Sequence, residues 1–359
     1  MNITIVGGGN IGTQFAVHCA ASGHDVIIYT SKPAAFDNCL KIINESNRII
    51  KQGYIKVATD NPEVAFSKAD MVLITVPPFC AEDVFLKIGN IVTHKIYVGF
   101  IPGTGGMECV FKNLIPKGCI LFGIQRVPSV ARLVEYGKIV CAQGYRNKLY
   151  LSAIPKKHTQ ECCSIISQIF EMPCEPLPNF LNLTLTPSNP ILHTTRLYTI
   201  FKDYNSSTVY EKNPLFYEEW DNQTSFLLFK CDDEVQALCN NLKDFDLSYV
   251  KSLREHYDSY TPEQLTCKIR GINGFKGLKT PMIETKSGFI PDFNSRYFVA
   301  DFGYGLAIIN QVADIANVKL QNIKMLLNWF CSLPFQSKFF DFKKYDINSY
   351  NSLMEFYLT

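Results

Sequence analysis

Residues 1–33, MNITIVGGGNIGTQFAVHCAASGHDVIIYTSKP, decide how the chain begins to fold. Asn2–Val6 reads as a short strand, and Asn10–Ser22 spaces Ile11, Phe15, Val17 and Cys19 as a helix does. Gly23 follows as a stop signal, and Asp25–Thr30 is a second strand rich in β-branched residues. Strand, helix, strand predicts one βαβ unit, with the run Gly7-Gly8-Gly9-Asn10-Ile11-Gly12 in the first turn. In that context G-x-G-x-x-G carries meaning. Gly7 permits the tight turn, and Gly9 lets backbone N–H groups approach a pyrophosphate. Gly12 lets the helix pack on the sheet while its positive end faces the anion. Gly7, Gly9, Asn10, Ile11 and Gly12 are therefore candidate contacts to a nicotinamide dinucleotide.

About 20 residues past such a fingerprint, NAD-binding chains carry an acidic residue for the ribose hydroxyl. Here the strand ends in Tyr29-Thr30-Ser31-Lys32. Two hydroxyls and an ammonium suit a 2′-phosphate, so Thr30, Ser31 and Lys32 favour NADP, while Asp25 and Asp37 keep NAD open.

Further strands are expected at Met71–Val76, Lys95–Ile101 and Cys119–Ile124, with Ile139–Ala142 and Lys148–Ile154 extending the same sheet. Val76 and Pro77 lie at the carboxyl end of the MVLITV strand, where ligands of doubly wound sheets bind. The fold class is an α/β N-terminal Rossmann domain, a doubly wound parallel sheet over residues 1–180, followed by an all-α domain over 181–359. Helices are expected in the second domain at Pro190–Tyr204, Thr208–Phe216, Glu219–Leu242, Ser248–His256, Pro262–Ile269, Tyr304–Ala316 and Leu320–Phe330. Residues 271–298 have no helical period.

The bulk numbers exclude several classes. Hydrophobic residues make up 47% of the 359 and charged residues 19%, a globular composition with core enough for two domains. Lys+Arg (35) and Asp+Glu (33) balance to +2 without long like-charge blocks, so no nucleic-acid partner is expected. The 13 cysteines are scattered among apolar runs, as reduced thiols in a cytoplasmic protein would be. No ligand spacing suggests a metal, and no apolar run suggests a leader or a membrane span. Apolar surface on the helical domain would suit a homodimer.

Of six histidines, His18, His24, His94, His158 and His256 read as surface or helix-end residues. His193 differs. It follows Asn189, a candidate N-cap, and Pro190 at the first helical position, in the first turn of the helix.

SNPILHTTRLYTIF (188–201), FYEEW (216–220) and SRYFVADFGYGLAIINQVADIANV (295–318), together with the glycine fingerprint, resemble the octopine/nopaline (opine) dehydrogenase family over nearly the whole chain. The resemblance implies a nicotinamide-binding Rossmann domain and a helical substrate domain in which His193 pairs with Asp301. It implies NAD(P)H-dependent reductive joining of an amino acid to a 2-oxo acid through an imine, the histidine moving the proton. The carboxylates of such substrates make Arg126, Arg132, Arg196 and Arg296 candidate cations, and Arg126, Asn189 and Arg296 the substrate contacts. Thr194, where many members have proline, and Ala300, where an acidic residue is common, depart from the family pattern. The rival readings are a ketopantoate-type reductase and a nucleotide-binding regulatory protein without turnover.

Overall fold

Strand β1 (Asn2–Val6), the helix Asn10–Ala21 and strand β2 (Asp25–Tyr29) form the expected βαβ unit, with Ile3 opposite Val26 and Ile5 opposite Ile28 in a parallel pair. The protein is described here from a computed structural model covering residues 1–335 and 337–359. It divides into two units, Met1–Thr184 with Met354–Thr359, and Leu185–Leu353.

The remaining strands of the first unit are β3 (Cys39–Ile43), β4 (Ile49–Tyr54), β5 (Val57–Thr59), β6 (Met71–Ile74), β7 (Tyr97–Phe100), β8 (Ile120–Ile124), β9 (Val130–Glu135), β10 (Ile139–Gln143), β11 (Leu149–Ile154) and β12 (Cys174–Pro176). The main sheet has eight strands in the order β12-β11-β8-β7-β6-β1-β2-β5. It is parallel from β5 to β8, and β11 joins antiparallel to β8. All four residues of β6 are buried, as a continuous apolar strand covered on both faces requires.

Ile139–Ala142 does not extend this sheet. Its strand β10 belongs to a second sheet of order β4-β3-β10-β9, pairing in parallel with β3 and antiparallel with β9. This sheet covers the helix Asn10–Ala21 on the face turned away from the main sheet. Gly53 of β4 makes the approach close enough that a Cβ there would lie 2.7 Å from the Val17 carbonyl oxygen and 2.8 Å from the Ala20 Cβ. Every residue from Gly12 to Cys19 is consequently buried. His18, expected near the surface, is among them, its Nε2 3.0 Å from the Tyr145 hydroxyl.

The second unit is built on helices Ser188–Phe201, Asn222–Asn241, Leu253–Tyr257, Pro262–Gly271, Arg296–Asp301, Ala307–Ile315 and Gln321–Ser332. Two of them start later than expected, at Asn222 rather than Glu219 and at Leu253 rather than Ser248, where capping residues set the first turn. Asp221 accepts from the Thr224 N–H at 2.7 Å, and Ser252 with Glu255 and Thr261 with Gln264 close capping boxes. The expected helix Thr208–Phe216 is absent. Pro214 lacks a donor, and Tyr210 and Leu215 instead form isolated β-bridges with Phe289 and Lys279. Within the unpatterned segment 271–298 a hairpin forms from β13 (Met282–Thr285) and β14 (Gly288–Pro291), so the helical unit carries one small sheet. Among the described residues no helix is long and apolar enough to cross a membrane.

Candidate active site

The glycine turn has the geometry its sequence calls for. Gly7 adopts φ +104°, and its N–H donates to the Tyr29 carbonyl at 2.9 Å, locking the turn to β2. A Cβ on Gly7 would stand 2.9 Å from Val76 Cγ1, and one on Gly12 only 1.8 Å from the Gly7 carbonyl oxygen. A Cβ on Gly9 would meet nothing within 4 Å. Gly7 and Gly12 thus answer to packing, whereas Gly9 is open, with the start of the helix behind it. This is a cradle that fits a dinucleotide pyrophosphate. Gly9 and Asn10 are exposed and Ile11 is half-buried. The Asn10 side chain is already engaged, its Oδ1 accepting from the Leu133 N–H at 2.7 Å. Val76 and Pro77 are half-buried at the end of β6, where the Thr75 hydroxyl donates to the Val6 carbonyl at 2.8 Å. Thr30 is buried at the end of β2, with Ser31 and Lys32 exposed beyond it.

In the second unit, His193 and Asp301 meet although 108 positions separate them: Nδ1 lies 2.7 Å from Asp301 Oδ2. His193 is buried and the Asp301 side chain is 14% exposed. The helix carrying His193 begins at Ser188, so Asn189 is an exposed first-turn residue rather than the N-cap, and His193 falls in the second turn, two residues deeper than expected. Pro190 is tolerated because the first N–H groups of a helix have no intrahelical acceptor.

Asp301 ends the helix Arg296–Asp301 and makes no capping bond. The helix runs on through a π-helical turn, Phe302–Leu306, into Ala307–Ile315. Such turns often mark functional positions. The glycines of DFGYGL explain the close approach. A Cβ on Gly305 would lie 2.7 Å from Pro190 Cβ, and one on Gly303 2.5 Å from the Lys338 carbonyl oxygen.

The surroundings of the imidazole are aromatic. Tyr297 stacks on it at 4.1 Å between centroids and 24° between planes, and Phe216 stands edge-on at 5.8 Å. The other ring nitrogen, Nε2, is 2.8 Å from the Tyr217 hydroxyl. Burial pushes the Tyr217 phenol well above its ordinary value, so it remains an O–H donor. A neutral ring satisfies both neighbours when Nδ1–H donates to the Asp301 carboxyl and Nε2 accepts from Tyr217. The ring of Tyr217 stacks on Phe275 at 4.0 Å and 16°. Its sequence signal was the FYEEW segment, which reads equally well as core.

Arg196, one of the candidate cations, is buried and committed to that segment. Its Nε donates to the Phe216 carbonyl at 3.0 Å, Nη2 to the Glu219 carbonyl at 2.6 Å, and Nη1 pairs with Asp221 at 3.0 Å. It positions Tyr217 and has no fork left for a substrate carboxylate. Arg296 is exposed, its guanidinium 5.6 Å from the Tyr297 ring centroid, while Arg126 is half-buried beyond β8 and Arg132 is exposed on β9. Among the described residues no three His, Cys, Asp or Glu side chains converge as a metal set.

Residues 176–333 match the family model for the α-helical domain of NAD/NADP octopine/nopaline dehydrogenases, and residues 2–103 match that of coenzyme F420-dependent NADP oxidoreductases. Octopine dehydrogenase of Mizuhopecten yessoensis is 28% identical over 360 residues, covering 92% of this chain and 89% of its own. The structure of an octopine dehydrogenase with NADH and L-arginine superposes with a TM-score of 0.82 at 23% identity, over 98% of this chain and 97% of the other. Yersinopine dehydrogenase with NADP+ bound superposes with a TM-score of 0.63 at 12% identity, over 92% and 90%. The helical domain, residues 176–333, thus belongs to the NAD/NADP octopine/nopaline dehydrogenase family, and with a nicotinamide-binding Rossmann unit before it the chain has the build of those oxidoreductases acting on CH–NH groups.

Proposed function

We propose that this protein is an NADP-preferring opine dehydrogenase of the cytoplasm, which joins an amino acid to a 2-oxo acid as a secondary amine and runs the reverse oxidation. The observation that carries the reading is the His193 Nδ1 to Asp301 Oδ2 bond of 2.7 Å in a buried aromatic pocket. The amine attacks the oxo carbon, and the oxygen leaves as water with the two protons shed by nitrogen. His193 moves those protons at Nε2, and the Asp301 carboxylate holds the ring and stabilises the imidazolium. The Tyr217 hydroxyl stays on Nε2 and relays the proton between it and the substrate oxygen. When bound, the reduced nicotinamide supplies hydride to the C=N carbon.

The roles of the remaining candidates follow from chemistry. Gly7, Gly9, Asn10, Ile11, Gly12, Val76 and Pro77 hold the dinucleotide, and Thr30, Ser31 and Lys32 take its 2′-phosphate. Asn189, Arg126 and Arg296 are the groups assigned to the substrate carboxylates.

The test is NADPH oxidation across a panel of amino acids and 2-oxo acids. Turnover is expected only when both partners are present, and His193→Ala should abolish it while leaving NADPH affinity unchanged. Ketone-only turnover, or a fully active variant, would overturn the reading.

A further inference from the structure

Tyr136 stands over the dinucleotide cradle, although it belongs to the turn between β9 and β10 of the second sheet. That turn is fastened to the segment following β2. The Asp37 N–H donates to the Gly137 carbonyl at 3.0 Å, and Lys138 reaches Asp37 at 4.0 Å. Gly137, at φ +76°, packs so tightly that a Cβ would lie 2.0 Å from the Ala35 carbonyl oxygen.

The fastening sets where Tyr136 points. Its hydroxyl is 3.3 Å from Thr30 Oγ1, and the Lys32 ammonium lies 5.8 Å from its ring centroid. Phe36 meets the ring edge-on at 5.3 Å and 72°. A Cβ on Gly8 would come within 2.4 Å of Phe36 Cζ and 3.1 Å of the Tyr136 hydroxyl, so both rings border the glycine turn itself. Tyr136 is nevertheless 38% exposed, and a ligand can reach it.

We infer that Tyr136 is a cofactor-binding residue that reads the 2′-phosphate of NADPH, its O–H donating to a phosphate oxygen beside the Thr30 hydroxyl and the Lys32 ammonium. The Thr30 and Tyr136 hydroxyls meet at 3.3 Å with the Lys32 ammonium above the same ring, and a phosphate monoester offers three acceptor oxygens with two negative charges. A ribose 2′-hydroxyl offers no charge to reward the Lys32 and Tyr136 pair. Tyr136 thereby assigns the second sheet a part in cofactor choice. The inference rests on the NADP-preferring reading of Thr30, Ser31 and Lys32 given above.

The experiment is equilibrium titration of NADPH and NADH, followed by nicotinamide fluorescence without substrate, on the parent, Tyr136→Phe and Lys32→Asp. Tyr136→Phe keeps the ring against Phe36, and its melting temperature checks the fold. It should weaken NADPH about tenfold, the worth of one hydrogen bond to a charged group. NADH should change less than about twofold, since no such bond is lost. Unchanged affinity for both cofactors, or an equal loss for both, overturns the role of Tyr136. Lys32→Asp should reverse the preference. Retained NADPH preference in that variant overturns the reading of the basic turn instead, so the two failures are distinguishable.

Discussion

At the scale of single residues, two buried side chains carry consequences that no local pattern announces. Tyr217 donates to Nε2 of His193 and is held there by the Arg196 clamp on Phe216 and Glu219. Tyr217→Phe removes one hydroxyl from an otherwise intact stack, so the fold should persist. kcat should fall about tenfold, the cost of a buried hydrogen bond in the reacting assembly, and cofactor affinity should not move. Steady-state kinetics beside NADPH titration checks this.

His18 acts through stability. Burial foremost, then the Lys51 ammonium, lowers its pKa to about 4, with Glu171 opposing. As pH falls below the ordinary histidine value the unfolded chain takes the proton first, so stability is lost between about pH 6.5 and 4, up to roughly 3 kcal/mol. Asp232 works with the opposite sign, its carboxyl pushed up to about 7 by burial, so its contribution grows as pH falls through the same range. The comparison that isolates His18 is urea unfolding of the parent and His18→Phe at pH 7 and pH 5. The variant should lose less stability on acidification.

At the scale of elements, the fingerprint turn separates packing from binding. Gly12→Ala places a methyl 1.8 Å from the Gly7 carbonyl oxygen, which no side-chain rotation relieves. It should destabilise the first unit by about 2 kcal/mol or more through backbone displacement. Gly9→Ala meets open space and should leave the melting temperature within about 1 °C, because nothing is displaced. On the proposed cofactor site its methyl would stand where a pyrophosphate approaches, so NADPH affinity should drop about tenfold, on the order of 1.4 kcal/mol. Thermal melts and cofactor titration of the two variants separate the roles. The π-helical turn after Asp301 is the counterpart in the second unit, where Gly305 lets its helix reach Pro190 and brings Asp301 to His193.

At the scale of the whole molecule, legibility followed sequence distance. The βαβ unit and its glycines were readable because each depends on neighbours within a few residues, and the capping boxes, though not read, depend on neighbours equally near. A turn at φ +104° needs glycine, and an N-cap needs an oxygen three residues before its donor. The second sheet was not readable. It pairs Lys41–Ile43 with Ile139–Cys141, and the strands carry no mark of which sheet they will join. The segment Thr208–Phe216 failed for the same reason, since its bridges lie at Lys279 and Phe289. The sequence by itself determined the strand–helix–strand order, the cradle and, through its motifs, the family resemblance. Tertiary structure alone decided that Nδ1 of His193 lies 2.7 Å from Asp301, that Tyr217 occupies its other nitrogen, and that Tyr136 borders the glycine turn. Local chain stiffness dictates the former, whereas the latter arise when packing of buried surface closes chain loops, 24 residues long at Tyr217 and 108 at Asp301.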